Sequence, residues 1–161
     1  MPMKSFVRTA GAWFQRRAEN VIAVLLGIMF VAFIIQIVFR YFFNFPTGWT
    51  SELSVITWLW MVLWGSAFVL KESEEIRFDL VYAAVGRRTR RVMGMLMAAA
   101  IVVLYAISLP GTWSYVTFMK VESTSYLRIR LDLLYSVYVV FAVAVIIRYL
   151  WAVVAILRGE A

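Results

Sequence analysis

Residues 21–39 read VIAVLLGIMFVAFIIQIVF, a run with one polar side chain, Gln36, and no charge. At about 1.5 Å per residue, a helix over this run covers about 28 Å, close to the roughly 30 Å of a bilayer's hydrocarbon core. Basic residues precede the run, as they do in a secretory signal peptide. The run is longer than a secretory hydrophobic region, however, and no small-residue cleavage site follows it. We therefore interpret it as a retained membrane anchor.

Three further apolar runs follow the first. Together with it they predict four membrane spans, at about residues 21–41, 49–70, 92–119 and 131–151. Backbone polar groups in hydrocarbon must be bonded internally, and runs of this length satisfy that condition as helices. Pro110 lies within the third run and predicts a kink near Ala106. The fold class is therefore an all-α membrane protein with four transmembrane helices, and no repeat or linker divides the single domain expected over residues 1–161.

The composition excludes most catalytic and metal-binding chemistry. The chain is 64% hydrophobic and 16% charged, far more apolar than a soluble domain, and it contains no cysteine and no histidine. Disulfides, thiolate nucleophiles, Cys/His zinc sites, histidine bases and the usual histidine ligation of haem are therefore excluded. We expect no enzyme activity, no cofactor and no metal. The net charge of +7 would indicate a nucleic-acid partner on a soluble protein. In a membrane protein we relate this charge to the bilayer, and we expect no nucleic-acid partner.

The distribution of basic residues orients the spans. Eleven Lys and Arg residues lie in the N-terminal tail, the loop after the second span and the C-terminal end, against four on the opposite side. Because positive residues favour the cytoplasmic face, both termini are predicted to be cytoplasmic.

The loop between the second and third spans reads KESEEIRFDLVYAAVGRRTRR, residues 71–91. Its apolar segment followed by a basic cluster predicts a short amphipathic interfacial helix that lies on phospholipid headgroups. The basic cluster alone could equally serve only to fix topology. The predicted lipid-interface residues are Arg87, Arg88, Arg90, Arg91, Arg148 and Trp151, the last two at the far end of the fourth span.

Glu52 is the acid within the second span, three residues after Trp49. An acid inside a span is a functional-site hypothesis by default. Its place near the outer interface favours an ion pair with Arg40 at the end of the first span, or a contact with another subunit. A proton relay is disfavoured because no second titratable residue lies deeper in any span. The nearby Trp58, Trp60 and Trp64 are interpreted as packing residues.

The stretch RYFFNFPTGWTSELSVITWLWMVLWGSAFVLKESEEIRFDL, residues 40–80, resembles the DctQ-like small membrane subunit of the tripartite ATP-independent periplasmic (TRAP) transporters. The matching elements are Arg40, Tyr41, Asn44, Pro46, Trp49, Glu52, Trp60, Gly65, Ala67 and the segment 76–80 before a basic stretch. One departure is Glu75, where many members carry a histidine.

The resemblance implies a scaffold in the bacterial inner membrane rather than a transport path. In that family a large, M-type membrane subunit couples organic-acid uptake to a sodium gradient, and a periplasmic substrate-binding protein delivers the substrate. Both are the expected partners here. The candidate subunit-interface or outer-interface residues are Arg40, Tyr41, Asn44, Trp49, Glu52, Trp60 and Gly65. The alternatives are an autonomous small proton-coupled exporter, a haem-free respiratory anchor and the small subunit of a tricarboxylate tripartite transporter.

Overall fold

The structure is a computed structural model that describes residues 2–70 and 86–158. For residues 2–10, 12 and 87 it describes the backbone alone. The described residues form four α-helices, α1 (Pro2–Phe42), α2 (Gly48–Phe68), α3 (Arg87–Phe118) and α4 (Leu131–Leu157), with a 3-10 turn at Met119–Val121. In the described part of the chain, extended pairing is limited to the isolated bridge between Ser123 and Arg130. The predicted all-α class is confirmed.

Three of the described helical segments are long and apolar enough to cross a membrane: Trp13–Phe42, Arg88–Val121 and Leu131–Leu157. Helix α2 has 21 residues, which corresponds to about 31 Å. It does not meet the same criterion, and its polar residues include Glu52 and several serines and threonines. The chain is therefore a multi-pass membrane protein. A fourth crossing at α2 and the cytoplasmic orientation of the termini stay predictions.

The helix boundaries differ from the predicted spans at three places. Helix α1 begins at Pro2 rather than near residue 21, and α4 continues to Leu157. Helix α3 begins at Arg87, so the basic cluster forms its first turn, and it continues through Pro110 without a break. The predicted interfacial helix lies in residues 71–85, which are outside the described residues.

The chain divides into two compact units, unit 1 (Met1–Leu70 and Val116–Val137) and unit 2 (Lys71–Tyr115 and Tyr138–Ala161). In unit 1, α1 and α2 pack as an antiparallel pair joined by a short turn. In unit 2, the ring of Tyr105 on α3 contacts Phe141 on α4 edge to face, with centroids 5.8 Å apart. Ala98, Ala142 and Val145 are buried in this unit.

The face that α1 turns toward α2 follows a heptad spacing. The positions of reduced exposure between residues 18 and 32 are Ala18, Ile22, Leu25, Met29 and Ala32, and Gln36 continues the row. The intervals alternate between four and three residues, the period of 3.5 that lets two helices pack along a left-handed seam. Ala18 and Ala32 are each only 2% exposed, so small side chains lie where the helices approach most closely. Most of the remaining surface of α1 is apolar and exposed.

The turn from α1 to α2 depends on Asn44. Its φ of 49° lies in the left-handed region, which asparagine tolerates better than most residues. The reversal lets the Phe43 and Phe45 amides both donate to the Phe39 carbonyl, at 3.2 and 3.1 Å. Carbonyls at the end of α1 are satisfied in this way, and α2 starts after the five residues 43–47.

Candidate functional site at the turn end of unit 1

The end of unit 1 that contains the α1–α2 turn also contains the loop formed by residues 122–130; we call it the turn end. The loop closes as a small hairpin. The Thr124 amide donates to the Ile129 carbonyl at 2.9 Å, and the Ile129 amide donates to the Thr124 hydroxyl at 3.0 Å. Arg128 reverses the backbone with a φ of 54°. The loop therefore has an ordered backbone of its own.

Glu52 holds the tip of this loop. One carboxylate oxygen, Oε2, accepts hydrogen bonds from the backbone amides of Tyr126 at 3.1 Å and Leu127 at 2.7 Å. Hydrogen bonds to an ionised acceptor contribute about 1.5–3 kcal/mol each, roughly twice a neutral bond. This single acid therefore joins α2 to a loop about 75 residues further along the chain.

Gly48 provides the second contact between α2 and the loop. A Cβ atom at this position would overlap Cζ and both Cε atoms of the Tyr126 ring. No side chain fits without moving the ring, so the phenol packs directly on the glycine backbone. Glycine is required here for close approach.

The polar residues at the start of α2 are satisfied within their own helix. The Thr50 hydroxyl, in a residue that is 0% exposed, donates to the Thr47 carbonyl at 2.7 Å and accepts from the Thr47 hydroxyl at 2.8 Å. Ser54 and Thr57 donate to carbonyls three or four residues earlier at 2.8–3.1 Å. These hydroxyls, buried or partly buried, therefore have hydrogen-bond partners, and placing them in the helix pair costs little free energy.

Two more of the predicted interface residues also make contacts within unit 1. The Trp60 indole Nε1 donates to the Leu134 carbonyl at 3.1 Å, which joins α2 to the first turn of α4. A Cβ atom at Gly65 would lie 3.2 Å from Cδ1 of Ile22, so this glycine allows α1 to approach. Together with Glu52, these residues hold unit 1 together.

The predicted ion pair between Arg40 and Glu52 is wrong. Glu52 is bound to the 122–130 loop, and among the described residues Arg40 has no hydrogen bond or ion pair. The acid could not be matched correctly from sequence because its actual donors are backbone amides. Arg40 instead lines a polar cleft of about 530 Å³. The residues around the cleft are Gln36, Arg40, Asn44, Pro46, Thr47, Gly48, Ser51 and Tyr126.

The other interface candidates are exposed. Tyr41 is 77% exposed and Trp49 39% exposed, and Asn44 is exposed in the turn. Within the described part of the chain, nothing shows what covers these three residues. Their assignment to a subunit interface stays a prediction.

The predicted lipid-interface residues lie in the first turn of α3 and, for Arg148 and Trp151, nine and six residues before the end of α4. Arg88, Arg90 and Arg91 are exposed in the first turn of α3, which begins at Arg87. Cations at a helix N-terminus oppose the macrodipole, so helix stability does not explain the cluster. Near the end of α4, Trp151 is 72% exposed and Arg148 is partly buried.

Sequence reasoning missed Gly48, Tyr126, Leu127 and Leu134. Tyr126, Leu127 and Leu134 act through backbone groups, and Gly48 acts through the room that it leaves for the Tyr126 ring. The residue type does not reveal a role of the first kind. Gly48 alone carried a signal, because glycine lets another group approach the backbone closely. Among the described residues, no group of three Asp, Glu, Cys or His side chains could hold a metal ion.

The fold and this site define a class: a multi-pass helical membrane protein in which the acid inside the second helix has a structural contact rather than an open site. Residues 29–159 match the family described as tripartite ATP-independent periplasmic transporters, DctQ component. The chain belongs to this DctQ family, as its resemblance over residues 40–80 predicted.

A curated relative supports this membership. It is the C4-dicarboxylate TRAP transporter small permease protein DctQ of Vibrio cholerae serotype O1 (strain ATCC 39315 / El Tor Inaba N16961), 28% identical over 111 residues. The alignment covers 65% of this chain and 48% of that protein. The chain thus spans about half the length of the curated relative that it matches.

Proposed function

We propose that this chain is the non-enzymatic scaffold subunit of a secondary TRAP transporter in the bacterial inner membrane. In this proposal both termini are cytoplasmic, α2 is the fourth crossing and the turn end faces the periplasm. The large membrane subunit carries the solute and the coupling sodium ions, and a periplasmic substrate-binding protein delivers an organic acid. The observation that carries the proposal is the contact of Glu52 with the 122–130 loop.

This contact matters because ion-coupled transport needs charged or coordinating groups near the middle of the membrane. The described helices contain three acids, and each has a hydrogen-bond partner. Glu52 binds the loop, Asp132 pairs with Arg130 at 2.6 Å, and Glu19 accepts from the Gln15 amide at 3.1 Å. The described helices therefore lack a free acid for proton or sodium coupling, which disfavours the alternative of an autonomous exporter.

The exposed apolar surface of α1 supports a contact with the large subunit. On one flank of the α1–α2 pair lies an open apolar groove of about 520 Å³. Its lining is Val24, Gly27, Ile28, Val31, Ala32, Ile35, Trp49 and Leu53. A Cβ atom at Gly27 would meet nothing within 4 Å, so the groove has room for a side chain or helix of another subunit. We assign this groove to the large subunit.

The ordered 122–130 loop supports docking of the substrate-binding protein. Because Glu52 and Gly48 hold its tip, the loop presents a fixed surface to a soluble partner. Its exposed residues include Tyr126, which is 65% exposed, and Arg128. A preorganised loop loses little conformational entropy on binding.

The proposal is tested by co-expressing the chain with its large subunit and measuring co-purification and uptake in cells that supply the binding protein. Replacing Gly27 with leucine fills the groove and should reduce co-purification and uptake together. The matched control is Gly111→Leu, because a Cβ atom added at that helical glycine would also meet nothing within 4 Å. Equal co-purification of both variants would remove the groove from the interface.

A second experiment tests the scaffold role itself. Vesicles reconstituted with this chain alone should show no solute flux under a sodium or proton gradient. Gradient-driven flux that Glu52→Gln abolishes would contradict the proposal and support the exporter alternative.

A further inference from the structure

The cleft around Arg40 lies at a position where a lipid headgroup would be found. The membrane-span candidate of helix α1 ends at Phe42, two residues after Arg40, and lipid headgroups are found where a span ends. The residues that line the cleft include Gln36, Asn44 and Tyr126, whose side chains carry amide N–H and phenol O–H groups. These groups can donate hydrogen bonds to an oxyanion.

The charge in the cleft is uncompensated. Arg40 has no acidic partner among the described residues, and Glu52, the acid nearest to it in sequence, is bound to the loop amides. Of the charged residues at the turn end, Arg130 is already paired with Asp132, whereas Arg40 keeps its guanidinium available. A guanidinium binds phosphate in a bidentate manner, and near a low-dielectric region such a pair is stronger than in water.

An exposed apolar row on α2 begins at the rim of this cleft. Ser51 lines the cleft, and Val55, Trp58 and Val62 follow at intervals of four, three and four residues on the same helix face. Their exposed fractions are 64%, 55% and 42%. From position 51 to position 62 the row covers about 16 Å, close to the roughly 15 Å of one leaflet's hydrocarbon.

A polar cationic cleft above an apolar row of one leaflet's depth matches the two parts of a phospholipid. We propose that the cleft binds the phosphodiester of a glycerophospholipid from the outer leaflet. Arg40 binds the phosphate, and an acyl chain lies along Val55, Trp58 and Val62. A free phosphate would leave the apolar row unused, and this row favours the lipid as the occupant.

The test is native mass spectrometry of the full-length chain in detergent, with dioleoylphosphatidylglycerol added in steps. The wild type should bind one lipid molecule specifically. Arg40→Gln should weaken this binding about tenfold, and Arg40→Lys less than that because the charge is kept without the bidentate geometry. Lys120→Gln is the matched control, since it removes an exposed cation that does not line the cleft, and it should change the affinity less than twofold.

Two further ligands distinguish binding of the phosphate group from binding of the acyl chains. Dioleoylglycerol has the same acyl chains without the phosphate and should bind at least tenfold more weakly. Inorganic phosphate should not displace the lipid. Trp58→Ala should weaken lipid binding about threefold because part of the acyl contact is lost.

Equal lipid affinity of the wild type and Arg40→Gln would overturn the proposal, as would equal binding of the two dioleoyl compounds or displacement by phosphate. The two ligand comparisons use the wild type, so they hold even if Arg40→Gln fails to fold. If Arg40→Gln binds lipid normally but loses the large subunit, Arg40 belongs to the subunit interface. The lipid site would then be wrong while the scaffold proposal stands.

Discussion

Removing the Glu52 carboxylate should release the tip of the 122–130 loop. Glu52→Ala leaves the amides of Tyr126 and Leu127 without their acceptor. Two charge-assisted bonds contribute about 3–6 kcal/mol at most, but water can replace the acceptor at the exposed Tyr126 amide. We therefore expect the local opening free energy of the loop to fall by about 2 kcal/mol, which is roughly a 30-fold faster exchange of both amides at constant pH.

Hydrogen exchange followed by mass spectrometry or NMR on the full-length chain in micelles measures this change directly. Glu52→Gln keeps one neutral acceptor oxygen, so it should lose about 1 kcal/mol, or roughly fivefold in exchange rate. Glu19→Gln is the control, because that acid accepts from Gln15, four residues away in the same helix on an exposed surface. The reasoning is refuted if the Tyr126 and Leu127 amides exchange at the wild-type rate in Glu52→Ala.

Three more substitutions test other contacts. Gly48→Ala should destabilise unit 1 by about 1–3 kcal/mol in reversible unfolding by dodecyl sulfate, because the new Cβ overlaps the Tyr126 ring. Gly111→Ala, with open space around the new Cβ, should not destabilise the protein. Equal stabilities of the two variants would contradict the contact between Gly48 and Tyr126. Trp60→Phe should lower the free energy of unfolding by about 1 kcal/mol in the same assay, because the bond to the Leu134 carbonyl is lost. Trp58→Phe, at an exposed position, should leave the free energy of unfolding nearly unchanged. An unchanged stability of Trp60→Phe would show that the bond is unimportant. Neutralising Arg87, Arg88, Arg90 and Arg91 together should loosen or invert the topology. The assay is labelling of a cysteine placed at Ser125 by an impermeant reagent from the periplasm, which should decrease. Unchanged labelling would show that the four arginines do not set the topology.

The helices could be predicted from the sequence because long apolar runs leave the backbone no alternative in hydrocarbon. The packing between the helices could not. In a membrane span nearly every position is apolar, so the heptad seam of α1 from Ala18 to Gln36 is invisible to a hydrophobicity pattern. Small residues where α1 and α2 approach each other most closely, such as Ala18 and Ala32, are the sign of this seam in the sequence.

The sequence predicted which residue of the site is important but not which groups it binds. Glu52 stood out because an acid inside an apolar run requires a partner. Its partner could not be named, since the donors are backbone amides more than 70 residues away that a hairpin brings into place. Arg40 was the nearest opposite charge in sequence, and that proximity led to the wrong pair.

The contact between Glu52 and the loop is independent of most loop side chains. A carboxylate that accepts from two peptide amides holds the backbone of Leu127 whatever residue stands there. Tyr126 is constrained by its packing on Gly48, Thr124 by its hydroxyl bond and Arg128 by its left-handed φ. An exposed loop position without such a role, Ser125, can therefore change without weakening the contact between Glu52 and the loop. In the proposed docking role, a position of this kind sets the surface chemistry that a soluble partner meets, while Glu52 and Gly48 keep the backbone in place.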